Sequence, residues 1–269
     1  MTRVEVRLLG EINSALRRLR GPRPVDDVAV HEARKAMKKA RAGLRLVRPR
    51  LGEPAYRRQN RALRDAGRCL SPLRDSQTLL DVLDKLLEQH PGKIRRSDYT
   101  RLKKSLQARR AKARSELYRS ASGIARCIRI LENCRTRAEH SGVSRSARDR
   151  LAAAARKIYR NGRAALAAAR KAPSTANLHE CRKQAKYLFN ALEMLEVAAD
   201  KTRARAGELA DRLGEEHDLA TLAAALETPA AFEAPIARSR ARLRKRVIKL
   251  AKKLYARKPR AAIPALRHG

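Results

Sequence analysis

Tryptophan is absent from this chain, and aromatic residues make up only 3% of it. Proteins that grip single-stranded nucleic acid usually stack bases on aromatic platforms, so that class is disfavoured at once. Cysteine is scarce and scattered: Cys69, Cys127, Cys134 and Cys181 form no CxxC pair. The usual zinc spacing is therefore missing, and reduced thiols are expected. Cys127 and Cys134 stand seven apart, on one face of a helix, which suggests packing. Glycine (12) and proline (11) are few, while hydrophobic residues reach 43%, so the chain is expected to fold rather than stay disordered. No apolar run approaches the roughly 20 residues of a membrane span. Met1-Thr2-Arg3-Val4-Glu5-Val6-Arg7 carries charge where a signal peptide needs an apolar stretch. A soluble cytoplasmic protein is the expectation.

Acids are also in short supply. Lys and Arg number 65 against 27 Asp and Glu, a net charge of +38. Such self-repulsion destabilises a compact state unless a counter-charge is present, so the natural partner is a polyanion. Nucleic acid, an acidic membrane surface and an inorganic phosphate polymer all qualify. With 269 residues, one large or two small domains are possible.

What is there reads as helix throughout. Ala, Leu, Arg, Lys and Glu dominate, and alternating β-branched runs are missing. Breakers fall at helical lengths: Gly21-Pro22-Arg23-Pro24, Pro49 with Gly52-Glu53-Pro54, Ser71-Pro72, and His90-Pro91-Gly92. A basic stretch from about 97 to 138 follows, with a break at Ser122-Gly123. His140-Ser141-Gly142 marks a joint, and Ser144 and Ser146 begin a helix that runs to about Lys171. Asn177 and Glu180 predict a capping box for the next helix. Further helices fit 200–213, 215–227 and 234–257, with Pro259 and Pro264 in a loose basic tail.

One motif occurs twice. Val30-His31-Glu32-Ala33-Arg34-Lys35-Ala36-Met37-Lys38 returns 148 positions later as Leu178-His179-Glu180-Cys181-Arg182-Lys183-Gln184-Ala185-Lys186. A second block repeats at an offset of 143: Leu70, Asp75, Leu79 and Leu83 against Leu213, Asp218, Leu222 and Leu226. The chain therefore divides into related halves, 1–142 and 143–269. An all-α fold of two antiparallel bundles, related by an approximate twofold axis, is the economical architecture.

The repeated helix has two faces. Val30, Ala33, Met37, Ala40, Leu44, Val47 and Leu51 form an apolar seam, matched by Leu178, Cys181, Ala185, Leu188, Leu192, Leu195 and Ala199. The opposite sector holds His31, Arg34, Lys35, Lys38, Arg41 and Arg45, with Glu32 the single acid between Val30 and Leu51. Like charges four apart repel, so an unrelieved stripe makes better sense if an anion is its missing partner. His179, Arg182, Lys183 and Lys186 repeat the start of the stripe. The basic block after the first motif includes Arg61 and Arg64. The histidines lack a second ligand at helical spacing, so no metal is expected; capping, or a hydrogen bond to phosphate or carboxylate, suits them better. Asp75 and Asp218 are expected to orient Arg side chains rather than act as acid and base. His217 and His90 have no repeat partner and read as incidental.

These residues resemble the CHAD family, the conserved-histidine α-helical domain. The first motif with Leu70-Ser71-Pro72-Leu73-Arg74-Asp75 resembles one family signature; the second with Leu213-Gly214-Glu215-Glu216-His217-Asp218 resembles the other. The resemblance implies two helical bundles around a basic central cavity, binding of inorganic polyphosphate, and association with polyphosphate granules. It implies that His31, Arg34, Lys35, Lys38, His179, Arg182, Lys183 and Lys186 line that cavity. Arg41, Arg45, Arg61, Arg64 and Arg74 extend the set by helical phase. His217 stands where the first signature has Arg74. Neither an acid-x-acid-x-Lys pattern nor a GxxxxGK loop is present, so no catalysis and no cofactor are expected. Nonspecific binding of duplex DNA or RNA is the alternative that the charge allows, although no finger or basic-zipper motif occurs.

Overall fold

The computed structural model describes residues 2–22, 24–119, 123–139, 148–196, 201–225 and 230–264. Among the described residues there is no strand. The helices are α1 (Arg3–Leu19), α2 (Asp27–Leu51), α3 (Glu53–Cys69), α4 (Ser71–Gln89), α5 (Arg96–Arg119), α6 (Ile124–Glu139), α7 (Arg148–Lys171), α8 (Thr175–Met194), α9 (Lys201–Ala225), α10 (Ala230–Tyr255) and α11 (Pro259–Ala262). None is long and apolar enough to cross a membrane.

Local chemistry explains the ends. Thr2 and Glu5 close a reciprocal capping box on α1: the Glu5 N–H donates to Thr2 Oγ1 at 3.3 Å, and the Thr2 N–H donates to Glu5 Oε2 at 2.7 Å. Asp26 caps α2 by accepting from the Ala29 N–H at 2.6 Å. Gly52 ends α2 at φ +74°, a conformation open to glycine, and Pro54 follows in the first turn of α3.

Five sequence expectations need correction. The cap of α8 is Ser174, whose Oγ accepts from the Asn177 N–H at 3.2 Å. Asn177 instead turns its side-chain amide back onto the end of α7, donating to Ala172 O at 2.8 Å. The expected break near residue 214 does not occur, because α9 runs through Gly214 unbroken. One interior glycine costs about 1 kcal/mol, less than packing on both sides returns. Likewise α10 begins before Pro235 and continues through it, and α2 runs two residues past Pro49. The tail expected to be loose forms α11 and buries Ala262 and Ile263 in the core. The joint at residues 140–142 and the start at 144–146 lie outside the described residues.

The apolar seams are buried as read. Val30, Ala33, Met37, Ala40, Leu44 and Val47 are buried on α2, and Leu178, Cys181, Ala185, Leu188 and Leu192 on α8. Leu51 and Leu195 are half-buried, and Ala199 lies outside the described residues. Helix α2 buries more than one seam, adding Ala36, Ala42, Gly43 and Leu46, because it touches α1, α3, α7 and α8. Gly43 permits the closest of these approaches: a Cβ there would stand 2.8 Å from Met194 Cε and 3.4 Å from Leu8 Cβ. Cys127 and Cys134 are buried together, as their spacing suggested.

Helices α1, α2, α3 and α6 pack as one group, and α7, α8, α9 and α10 as another. One apolar core runs through both, from Val4 to Ile263. A smaller core lies apart, where Leu83 and Leu86 of α4 and Leu102 and Leu106 of α5 meet Leu222 of α9 and Phe232 and Ile236 of α10. The direct contact of α2 with α8 places the two copies of the repeated motif side by side.

Candidate functional site

The polar faces of α2 and α8 open onto a cleft of about 510 Å³ closed on its third side by α9. Lys38, Arg41 and Arg45 line it from α2; His179, Arg182, Lys183, Lys186, Tyr187 and Asn190 from α8; Asp211, Gly214, Glu215 and Asp218 from α9. Seven of the expected site residues thus meet in one hollow fed by both halves of the chain.

The cations there differ in their partners. Lys183 pairs with Glu180 on its own helix, and Lys186 stands 3.6 Å from Asp211. Among the described residues, Lys38, Arg41, Arg45 and Arg182 have no carboxylate within ion-pair distance. Arg41 Nε donates to Asn60 Oδ1 at 3.0 Å, which aims the guanidinium from α2 toward α3. Arg45 lies over the Tyr187 ring, 3.6 Å from its centroid, a cation–π contact that joins the two halves. Lys38 remains open to water, yet protein walls flank its ammonium and three cations stand near it. Burial, followed by Arg34, Arg182 and Lys186, lowers its pKa to about 8.

The remaining expected residues border the cleft or lie away from it. Arg34 braces α2 against the α3–α4 corner: it donates to Gly67 O at 2.9 Å and to Ser71 Oγ, and pairs with Asp75 at 3.5 Å. Asp75 therefore orients an arginine, as its repetition suggested. His31 sits beside Arg74, and burial followed by that cation lowers its pKa. Arg74 reaches Asp81 at 3.5 Å. Arg64 pairs with Asp65 at 3.3 Å and is close enough to Arg41 to depress its pKa. Lys35 turns to Glu32 at 3.0 Å, and Arg61 is exposed on α3; neither lines the cleft.

Sequence reasoning overlooked several groups. Tyr187 and Asn190 continue the face of Lys183 and Lys186 one turn on, and Asp211, Glu215 and Asp218 share one face of α9; helical phase alone could have found both sets. His217, read as incidental, packs on His179 with ring centroids 4.7 Å apart. Its Nδ1 is buried and finds no hydrogen-bond partner among the described residues. Burial, then Arg182, lowers the pKa of both imidazoles, so neither adds charge to the unliganded site at neutral pH. Burial raises the pKa of Asp218 against the pull of Arg182, Arg74 and Lys38. Among the described residues, no group of three His, Cys, Asp or Glu side chains could hold a metal ion.

The arrangement can hold an anion by unpaired cations on two facing walls. Comparison with known proteins bears on the family and the fold. A family model described as the CHAD domain matches residues 9–227. The fold is similar to that of a solved structure described as the "Crystal structure of the CHAD domain from the plant Ricinus communis", with a TM-score of 0.56 and 20% identity over 98% of this chain and 90% of that one. No curated protein matches the chain.

Proposed function

This chain belongs to the CHAD domain family, and from that premise we propose that it is a non-catalytic binder of inorganic polyphosphate. The observation that carries the reading is the convergence of Lys38, Arg41, Arg45 and Arg182, unpaired and drawn from both repeats, in one cleft. A flexible chain of phosphates would supply the charge these side chains lack. Arg forks onto two phosphate oxygens, while Lys acts as a mobile point charge. The two repeats would act as halves related by an approximate twofold axis, each presenting its basic helix to one polymer. Binding of this kind suits recruitment to polyphosphate granules from the cytoplasm.

Counterion displacement makes the affinity fall steeply with salt. The test is binding of long-chain polyphosphate to the wild type and to a Lys38→Met/Arg41→Met/Arg182→Met variant. The cleft variant should lose at least ~10-fold, since each charge-assisted contact is worth about 1.5–3 kcal/mol. Replacing the exposed Lys258 and Arg260 at α11 by methionine should cost much less. Equal losses would show that the cleft has no special role. Polymer length should stay constant on incubation with Mg²⁺ or Mn²⁺; shortening would identify an enzyme instead.

A further inference from the structure

The cations of α10 sort into two sets. Arg240 and Arg244 turn inward and both donate to the buried carboxylate of Glu216, at 3.0 and 2.9 Å. Arg246 pairs with Glu208 at 3.1 Å. Arg238, Arg242, Lys245, Lys249 and Lys252 stay exposed, and none of them joins an ion pair among the described residues. Their spacing of four, three, four and three residues keeps them within a sector of about 80°. At about 1.5 Å per residue the row runs for roughly 21 Å. The only acid on α10 is Glu233, in its first turn. The fold has neutralised the arginines it turns inward and left a positive track outside, of which Arg242 alone donates to a neighbouring helix, to Gln89 Oε1 at 3.3 Å. The family match ends at residue 227, before this helix begins, so the track is separate from the matched region.

We propose that the outer face of α10 is a second polyanion surface, and that its partner is the phosphate backbone of duplex nucleic acid. The chemistry of the face selects among polyanions. It carries no aromatic side chain on which unpaired bases could stack. It carries no large apolar side chain to insert into a bilayer. It is convex and rigid, whereas a flexible phosphate polymer is better held in a trough such as the cleft. A straight exposed helix with evenly spaced cations matches a stiff duplex, whose groove is wide enough to admit one. Contacts would be to phosphates alone, so binding is independent of base sequence. With the cleft free for polyphosphate, one molecule could hold both polymers.

The test uses the full chain and two variants of equal net charge. One is Lys245→Gln/Lys249→Gln/Lys252→Gln on the track; the other is the Lys38→Met/Arg41→Met/Arg182→Met cleft variant. Binding of a labelled 20-base-pair duplex is followed by anisotropy across a salt series. The track variant should bind duplex at least ~10-fold more weakly near physiological salt, with a log–log salt slope shallower by about 2–3. Its polyphosphate affinity should stay within about twofold of wild type by the same counting. The cleft variant should show the reverse pattern. Equal loss of duplex binding in both variants would overturn the proposal, because bulk charge would then be responsible. A track variant that keeps duplex binding but no longer binds phosphatidylserine vesicles would also overturn it, in favour of a membrane. The substituted side chains are exposed, so a melting temperature no lower than that of the wild type should confirm that the helix remains intact.

Discussion

Replacing Lys38 by methionine should make the protein more stable and a poorer binder. Lys38 stands near three like charges, Arg34, Arg182 and Lys186, against two acids, Asp75 and Asp218. A pair of unit charges roughly 8 Å apart is worth about 0.5 kcal/mol in water and about 2 kcal/mol near a protein surface. Solvent reaches this cleft, so we take the lower part of that range and expect net relief of about 1 kcal/mol. In a chain of this size that raises Tm by roughly 2–4 °C. Added salt should shrink the gain. The pH dependence has a definite sign. The folded pKa, about 8, lies below the ordinary 10.5. Between those values the unfolded chain holds a proton that the folded protein does not, so wild-type stability rises through that window relative to the variant. The Tm difference should therefore close above pH 8. Polyphosphate affinity moves the other way: the variant should show a salt slope shallower by about 0.7, and should lack the loss of affinity that the wild type shows from about pH 7 to 9. Calorimetric melting and a binding titration at three pH values check all of this. A variant that melts lower, or binds as well as wild type at pH 7, refutes the electrostatic account of the cleft.

Three further outcomes follow from particular contacts. His31, His179 and His217 are held below their ordinary pKa by burial and neighbouring cations, so a bound polyanion should make them take up protons; titrations in buffers of different ionisation enthalpy should show net uptake, and affinity should rise as pH falls from about 7 to about 5.5. Truncating the buried Glu216 to alanine leaves Arg240 and Arg244 without their shared acceptor and should cost about 3–5 kcal/mol, read from urea midpoints; a loss under about 1 kcal/mol would deny it that bracing role. Gly162→Ala drives a methyl into the Tyr255 ring and should cost about 1–3 kcal/mol, whereas Gly43→Ala crowds only the flexible tip of Met194, with Leu8 at ordinary contact distance, and should be nearly neutral; equal melting temperatures for the two would contradict the packing described.

Much of the scaffold was legible because its signals are periodic. The 3-4 spacing from Val30 to Val47 and from Leu178 to Leu192 predicted the buried faces, and the clusters Gly21-Pro22, Gly52-Glu53-Pro54, Ser71-Pro72 and Pro91-Gly92 marked real helix boundaries. Gly214 misled for a physical reason. An isolated glycine weakens a helix without breaking it, and α9 is packed between α8 and α10. The cationic residues were legible as a set but not by role. A side chain on the polar face of α2 can reach forward to a neighbouring helix or sideways to its own, and the sequence does not say which. Arg34 finds Gly67 and Asp75 across a helix corner, while Lys35 finds Glu32 one turn back. His217 was overlooked for the converse reason: it matches Arg74 in the repeat, and only the packing of α8 on α9 brings it against His179.

Pairing therefore sorts this protein's charge better than position does. Where a cation braces the fold, an acceptor has been placed for it: Asp75 for Arg34, Asp27 for Arg110 and Arg114, Glu5 for Arg50, Glu216 for Arg240 and Arg244. Where cations crowd without one, in the cleft and along the outside of α10, they lower stability and contribute nothing to the core. On α9, Asp211 and Glu215 serve Lys186 and Arg212, and Asp218 faces Arg182 and Lys38 without closing an ion pair with either, so those two cations stay only partly relieved. That the strain persists in two separate places is the physical reason to expect an external anion at each.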